Sequence, residues 1–145
     1  TTNLRFSCQF LFFTEQNVSH NFSAEIGFIY TIAGNGRAGF AGDGKEANLA
    51  ALSFPIGIAV DSKGNKFFAD AENNVIRAIN GRSKIISTVS GQGNEGPGYY
   101  GDGSAASLAK LSFPVGVAVD SKDDIYICDY GNSVIRKIFK DAAIG

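Results

Sequence analysis

Leu52-Ser-Phe-Pro-Ile-Gly-Ile-Ala-Val-Asp-Ser-Lys63 returns, 59 residues later, as Leu111-Ser-Phe-Pro-Val-Gly-Val-Ala-Val-Asp-Ser-Lys122. The match continues on both sides at the same offset, through the pairs Gly42-Asp-Gly44/Gly101-Asp-Gly103 and Val75-Ile-Arg77/Val134-Ile-Arg136. Over the 38 aligned positions, 22 are identical. A repeat of this length is the signature of an array of equivalent supersecondary units, each of which packs against its neighbours.

Each copy alternates short apolar runs with turn residues. In the first copy the runs are Ile56–Val60, Lys66–Ala69, Val75–Ile79 and Lys84–Val89. Asn80-Gly81, between the last two, is a strong hairpin signal. Three hairpins joining four strands form an antiparallel meander, the unit of a β-propeller blade. The sequence therefore predicts an all-β protein, with an N-terminal segment in 1–33, one blade in 34–90 and a second in 91–145.

Each Gly-Asp-Gly motif is followed by a short stretch that favours a helical turn. We expect these turns to pack over the edge of the blade through Leu49 and Leu108. Asp61, Asp70, Asp120 and Asp129 end strands, where an aspartate side chain commonly folds onto the turn that follows.

These motifs resemble the NHL-repeat family of β-propellers. The family pattern of an apolar strand followed by aspartate is seen at Pro55–Asp61 and Pro114–Asp120, and the connecting loop Ala33–Gly44 resembles that of a longer NHL subtype. The resemblance implies propeller blades, and NHL propellers have roughly five or six of them. Because this chain carries two, we expect further blades to complete them.

The ends of the repeat predict one way in which the second blade obtains its fourth strand. The second copy reaches the chain end soon after its third strand, whereas the segment 28–33 aligns with the fourth strand of the first copy. We expect this segment to be donated to the open edge of a neighbouring copy, through Phe28, Ile29, Tyr30, Thr31 and Ile32. Head-to-tail donation closes a ring or propagates a filament. The alternative is a fragment of a larger NHL propeller that binds a protein or glycan ligand.

Catalytic residues are scarce. His20 is the sole histidine and lies outside both repeats, so no Ser/His/Asp or Cys/His arrangement can be built. Asp43 and Asp102 are weak candidates for a cation site, but the favoured interpretation is that they accept hydrogen bonds from backbone N–H groups of their own tight turns. We expect no enzyme and no cofactor. A metal-dependent propeller lyase or lactonase is the third alternative.

Charge and composition exclude other classes of partner. The 13 basic and 14 acidic residues form no cluster, which disfavours nucleic acid. No apolar run of about 18 residues is present to span a membrane. Tyr99 and Tyr100, in the longer loop of the second copy, are candidates for contact with a protein or sugar; the alternative, which is slightly favoured, is that they pack within the loop.

Two sequence features, a pair of glycosylation motifs and a pair of cysteines, bear on the cellular compartment of the protein. Asn17-Val-Ser19 and Asn21-Phe-Ser23 match the acceptor pattern for N-glycosylation at Asn17 and Asn21. Cys8 and Cys128 are either buried thiols or partners in a disulfide. We therefore expect a secreted, non-catalytic structural protein whose main partner is a copy of itself.

Overall fold

The computed structural model describes residues 27–140. The chain divides after Tyr30, and every strand of the described residues belongs to the unit that begins at Thr31. Seven strands are present: β1 Pro55–Val60, β2 Lys66–Asp70, β3 Val75–Ile79, β4 Ile86–Ser90, β5 Gly116–Val119, β6 Ile125–Asp129 and β7 Val134–Ile138. Short 3-10 helices lie at Ala47–Leu49, Ala71–Asn73, Gly93–Glu95, Ala106–Leu108 and Tyr130–Asn132.

The strands form two antiparallel meanders. Blade 1 is the four-stranded sheet β1-β2-β3-β4, and blade 2 is the three-stranded sheet β5-β6-β7. The all-β propeller-blade prediction is therefore confirmed, and the strand bounds agree with the apolar runs to within two residues at either end. The domain boundaries at 33 and 90 stay predictions. Within residues 27–140, no helix is long and apolar enough to cross a membrane.

Aspartates set the turns that reverse β1 and β5. Asp61 Oδ1 accepts hydrogen bonds from the backbone N–H of Lys63 at 2.9 Å and of Asn65 at 2.8 Å. Asp120 Oδ1 holds the equivalent turn through the N–H groups of Lys122 and Asp124. The prediction for Asp61 and Asp120 is confirmed.

The β3–β4 connection differs from the tight hairpin that Asn80-Gly81 indicates. Asn80 Oδ1 accepts hydrogen bonds from the N–H groups of Arg82 and Ser83, and the chain turns at Lys84, whose φ is +62°. Neither Asn80 nor Gly81 has the positive φ that a two-residue hairpin turn requires. The side chain of Asn80 thus sustains a wider loop, and β4 begins at Ile86 rather than Lys84.

The two blades pack face to face around one apolar cluster. Blade 1 contributes Phe67, Ala69 and Ile76, and blade 2 contributes Leu111, Ile125 and Ile127. The inner strands also approach closely, since a Cβ at Gly57 would lie 3.2 Å from the Cα of Gly116. Glycine at position 57, which has a positive φ of 57°, permits this backbone contact where β1 meets β5.

The prediction for Leu49 and Leu108 is wrong, whereas donation of residues 28–33 to a neighbouring copy stays a prediction. The helical turns after Gly-Asp-Gly do form, but Leu49 and Leu108 are 59% and 53% exposed. The small side chains of Ala47, Ala50 and Ala109 are buried instead, because a 3-10 turn this close to the sheet has no room for a larger residue. Residues 28–33 form no strand in this single chain, and Phe28, Ile29 and Ile32 are exposed.

Candidate functional site

Each blade contains an arginine clamp that ties its Gly-Asp-Gly loop to the sheet. In blade 1, Arg77 donates to Asp70 Oδ2 at 3.1 Å and to Asp43 Oδ1 at 2.8 Å. The side chains of Arg77 and Asp70 are both fully buried. Asp43 Oδ2 accepts a further hydrogen bond from the backbone N–H of Thr88 in β4. One arginine therefore joins β2, β3 and the loop, and Asp43 reaches the last strand.

The clamp of blade 2 is more exposed. Arg136 donates to Asp102 Oδ1 at 2.7 Å and lies 3.7 Å from Asp129 Oδ2. The side chain of Asp102 is 66% exposed. Its Oδ2 accepts the hydroxyl of Tyr99 at 2.9 Å. This hydrogen bond, followed by the one from Arg136, lowers the pKa of Asp102, and the same contact with Asp102 raises the pKa of Tyr99.

These contacts correct the expectations for three aspartates. Asp70 does not fold onto the following turn, because it accepts a hydrogen bond from the distant N–H of Ser53. The expectation holds for Asp129, whose Oδ2 accepts a hydrogen bond from Asn132 in the 3-10 helix that follows, while its Oδ1 accepts one from the N–H of Ser112. Asp43 and Asp102 act on the arginine clamps rather than on their own turns. Among the described residues, no group of three or more His, Cys, Asp or Glu side chains could hold a metal ion.

The two candidate tyrosines differ in their surroundings. The Tyr99 ring lies 5.5 Å from the Arg136 guanidinium, as the equivalent Phe40 lies 5.1 Å from Arg77. Tyr99 therefore belongs to the clamp. Tyr100 is bonded to the clamp only through its backbone carbonyl, and its side chain is 66% exposed. Of the pair, Tyr100 is the better candidate for ligand contact.

The Leu-Ser-Phe-Pro segments supply an aromatic pair that the sequence analysis missed. Phe54 and Phe113 have φ values of +55° and +44°, and their ring centroids are 6.0 Å apart. Phe54 is 58% exposed. The repetition of a phenylalanine before proline in both copies is the signal that could have drawn attention to it.

Two polar latches join the blades at their opposite ends. Beside the Phe54–Phe113 pair, Asn74 Oδ1 accepts the backbone N–H of Phe113 at 2.8 Å. At the other end, Asp123 accepts the N–H of Ser62 at 2.8 Å and its hydroxyl at 2.6 Å. These hydrogen bonds from Ser62 lower the pKa of Asp123. The blades therefore meet in a fixed arrangement, with an aromatic pair at the Asn74 end.

Blade 2 also carries a charged cluster on its outer face. Lys137 Nζ lies 2.7 Å from Asp124 Oδ2 and 4.9 Å from the centre of the Tyr126 ring. The hydrogen bond to Asp124 is the largest cause of a pKa of Lys137 that is raised above its usual range. Cys128 lies nearby in β6 and is half-buried. Cys8, Asn17, Asn21 and His20 lie outside the described residues, so the disulfide and the glycosylation sites stay predictions.

Comparison with known families agrees with this architecture. A model of the teneurin NHL domain matches residues 35–98, and a model of the NHL repeat matches residues 111–138. The two matches fall on the two copies of the repeat. The chain belongs to the NHL-repeat family.

Proteins similar to this chain include one that is much longer. The protein SUPPRESSOR OF QUENCHING 1, chloroplastic, of Arabidopsis thaliana is 30% identical over 87 residues, which cover 60% of this chain and 8% of that protein.

Two solved structures from Bacteroides thetaiotaomicron share the fold. A structural genomics protein of unknown function has a TM-score of 0.60 at 22% identity, covering 72% of this chain and 26% of that chain. An auxiliary nutrient binding protein has a TM-score of 0.59 at 24% identity, covering 74% of this chain and 28% of that chain. Two NHL blades thus correspond to about a quarter of each of these folds.

Proposed function

We propose that the chain forms two adjacent blades of a larger NHL propeller, and that this propeller is a non-catalytic recognition domain for a protein or glycan ligand. The short coverage of the solved relatives supports the first part. The second is supported by the description of one neighbour as a nutrient binding protein. The arginine clamps support a non-catalytic role, because they engage the carboxylates that a cation site would need.

The observation that carries the proposal is the open face of blade 1. Val117 and Val119 of β5 pack into the cluster between the blades. Their equivalents in β1, Ile58 and Val60, are 58% and 56% exposed. Beside them lies an apolar depression of about 260 Å³ that Phe68 and other residues line. A preceding blade with the packing face of blade 1 would cover these side chains, as repeat proteins require of every internal unit.

This open face predicts association of the 145-residue chain. We expect native mass spectrometry to show oligomers that increase with concentration, because about 25 cal/mol is gained per Å² of apolar surface buried. Ile58→Lys should abolish them. Leu49→Lys is the matched control, since Leu49 is equally exposed but lies in a 3-10 helix outside the strands. A wild-type chain that stays monomeric and stable at all concentrations would contradict the proposal.

Recognition is tested separately at Tyr100. We expect immobilised chain to retain a defined oligosaccharide or peptide from a probe library, and Tyr100→Ala to weaken that binding without lowering the unfolding temperature. Leu108→Ala, another exposed side chain of blade 2, serves as the control. Absence of any retained probe contradicts a recognition role.

An extracellular location is part of the proposal. The match to the teneurin NHL domain and the two sequons favour it, whereas the Arabidopsis relative is described as chloroplastic. Mass analysis of the protein from a eukaryotic secretion host would decide it, since occupied Asn17 and Asn21 add glycan mass that Asn→Gln substitution removes.

The open edge of β7 favours a second candidate, self-assembly by strand donation into a ring or filament. In the described part of the chain, blade 1 has four strands, whereas blade 2 has three, so that β7 is an edge strand where its equivalent β3 pairs with β4. In blade 1, Arg77 pairs with Thr88 of β4. By repeat equivalence, a donated segment 28–33 would place Thr31 opposite Arg136 and Tyr30 opposite Lys137.

This register can be tested by crosslinking. With Cys8 and Cys128 replaced by serine, Tyr30→Cys combined with Lys137→Cys should give disulfide-linked chains on mild oxidation. Thr31→Cys with Lys137→Cys is the control, because a shift of one residue turns the side chain to the opposite face of the sheet. Equal crosslinking of both pairs, or of neither, rejects strand donation and favours a longer propeller.

A further inference from the structure

Phe54 and Phe113 occupy a backbone conformation that bulky residues avoid. Their φ values of +55° and +44° lie in the left-handed region, which costs an L-residue about 1–2 kcal/mol. Neighbouring groups impose it: buried Asp70 accepts the N–H of Ser53 at 2.7 Å, and buried Asp129 accepts that of Ser112 at 2.8 Å. Strain of this kind persists where the surroundings enforce it, and it concentrates at binding and catalytic sites.

Burial does not account for Phe54, which keeps 58% of its surface exposed, whereas Phe113 is half-buried. Neither ring belongs to the apolar clusters of the described residues. The rings instead lie 6.0 Å apart with an interplanar angle of 32°, beside the ends of the inner strands. The exposed ring of Phe54 thus lies beside the half-buried ring of Phe113 at a strained stretch of backbone.

The charge around this pair is complementary to a cation. Elsewhere in the described chain, Phe40, Tyr99 and Tyr126 each lie beside an arginine or lysine. No cation of the described residues lies over Phe54 or Phe113. Glu72 is tied to the residue before Phe54, because its N–H donates to Ser53 O and its carboxylate accepts the Ser53 hydroxyl. Glu72 is exposed and makes no ion pair within residues 27–140.

We propose that Phe54, Phe113 and Glu72 bind an arginine or lysine side chain of a partner polypeptide. This inference rests on the proposed recognition function and assigns its ligand to a cationic peptide. Aromatic faces attract guanidinium and ammonium groups, and the Glu72 carboxylate adds a charge-assisted acceptor. The same carboxylate repels an anionic ligand, so this end of the blades does not suit a phosphate group or a nucleic acid.

The test is an NMR titration of the full 145-residue chain with labelled phenylalanine and tyrosine rings. The probe is acetyl-Gly-Arg-Gly-amide, and acetyl-Gly-Gln-Gly-amide is the uncharged control. We expect saturable shifts of the Phe54 and Phe113 signals with the arginine peptide alone. Glu72→Gln should weaken binding at least threefold at low salt. Glu46→Gln, which removes another exposed carboxylate, should leave binding unchanged.

A second variant separates binding from a structural role. Phe54→Asn keeps a residue that tolerates the left-handed conformation, so we expect an unchanged or higher unfolding temperature together with loss of peptide binding. A lower unfolding temperature would assign Phe54 to packing and overturn the inference.

The other outcomes are equally distinct. Equal binding of both peptides, or wild-type affinity in Glu72→Gln, overturns the cation site. If a neutral oligosaccharide shifts the Phe54 and Phe113 signals and the arginine peptide does not, the inference fails while the recognition function stands. If no peptide or oligosaccharide shifts these signals or those of Tyr100, both fail.

Discussion

At the scale of single residues, the most constrained feature is the buried pair of Arg77 and Asp70. Both side chains have no exposed surface, so each charge depends on the other and on Asp43 for compensation. Removing one of two such buried charges lowers the stability of the fold strongly, because the remaining charge stays buried without its counterion. The clamp therefore fixes where the Gly-Asp-Gly loop lies on blade 1.

Asp70→Asn should lower the free energy of unfolding by about 3 kcal/mol, since it leaves the Arg77 charge with one carboxylate. Asp102→Asn is the comparison in blade 2, where Asp102 is exposed and solvent screens its pairing with Arg136. Urea denaturation of both variants should show the larger loss for Asp70→Asn. Equal losses would mean that burial does not set the strength of the clamp.

At the scale of elements, contact between the blades depends on latches as well as on the apolar cluster. Asn74, in the left-handed region at φ +57°, accepts the N–H of Phe113. Ser133 occupies the equivalent position in blade 2 at φ +58°, and within the described residues it has no side-chain hydrogen bond to another blade. The two positions share a backbone conformation and differ in this contact between the blades; Asn74 Nδ2 also donates to Glu72 O within its own loop.

Asn74→Gly should therefore cost about 1 kcal/mol, the usual contribution of one hydrogen bond. Ser133→Gly should be neutral or stabilising, because glycine suits the conformation and no latch is lost. Guanidinium denaturation measures both. A loss in Ser133→Gly as large as that in Asn74→Gly would contradict the latch.

The second latch makes stability depend on pH. The pKa of Asp123 is lowered by its hydrogen bonds from Ser62, so the folded chain favours the carboxylate. The unfolded chain then binds more protons in the window just below the ordinary aspartate pKa of about 3.9. The stabilisation is complete above that value and is lost as the pH falls through the depressed pKa.

We expect the denaturation midpoint to fall with acid in wild type, and to fall less in Asp123→Asn and Ser62→Ala. If the denaturation midpoint depends on pH in the same way in all three proteins, the Ser62–Asp123 latch is not the source of the pH dependence.

At the scale of the whole molecule, the blade pair has a packing face on each side that residues 27–140 leave open. Ile58 and Val60 are exposed on blade 1, and Ile135 is exposed on blade 2. The outer face of blade 2 differs from that of blade 1, because Lys137 stands where blade 1 has Ala78. A further blade on that side must therefore accommodate an ion pair.

Joining two copies of the chain head to tail should raise the unfolding temperature, since blade 1 of the second copy gains a neighbour. Val60→Lys in the second copy should cancel the increase, whereas Val60→Lys in the first copy should not. Calorimetry of the tandem chain and its two variants provides the measurement. An increase that survives in both variants would exclude packing on β1.

The repeat determined much of this protein by itself. The strands, the Asp61 and Asp120 turns and the NHL blades follow from local patterns, and duplication of each pattern made them unambiguous. Local propensity could not place contacts between distant residues. The partners of Asp43 and Asp70, the wider loop at Asn80 and the exposure of Leu49 emerge only when the loops pack on the sheet.

The aromatic pair shows the same division most clearly. The sequence places phenylalanine before proline in both copies, which predicts that the two sites are equivalent. It does not predict their backbone conformation or the exposure of their side chains. Tertiary structure decided both, because buried Asp70 and Asp129 fix the preceding serines and force Phe54 and Phe113 into the left-handed region. Hydrogen bonds that span 17 residues bring these groups together, and no local pattern encodes them.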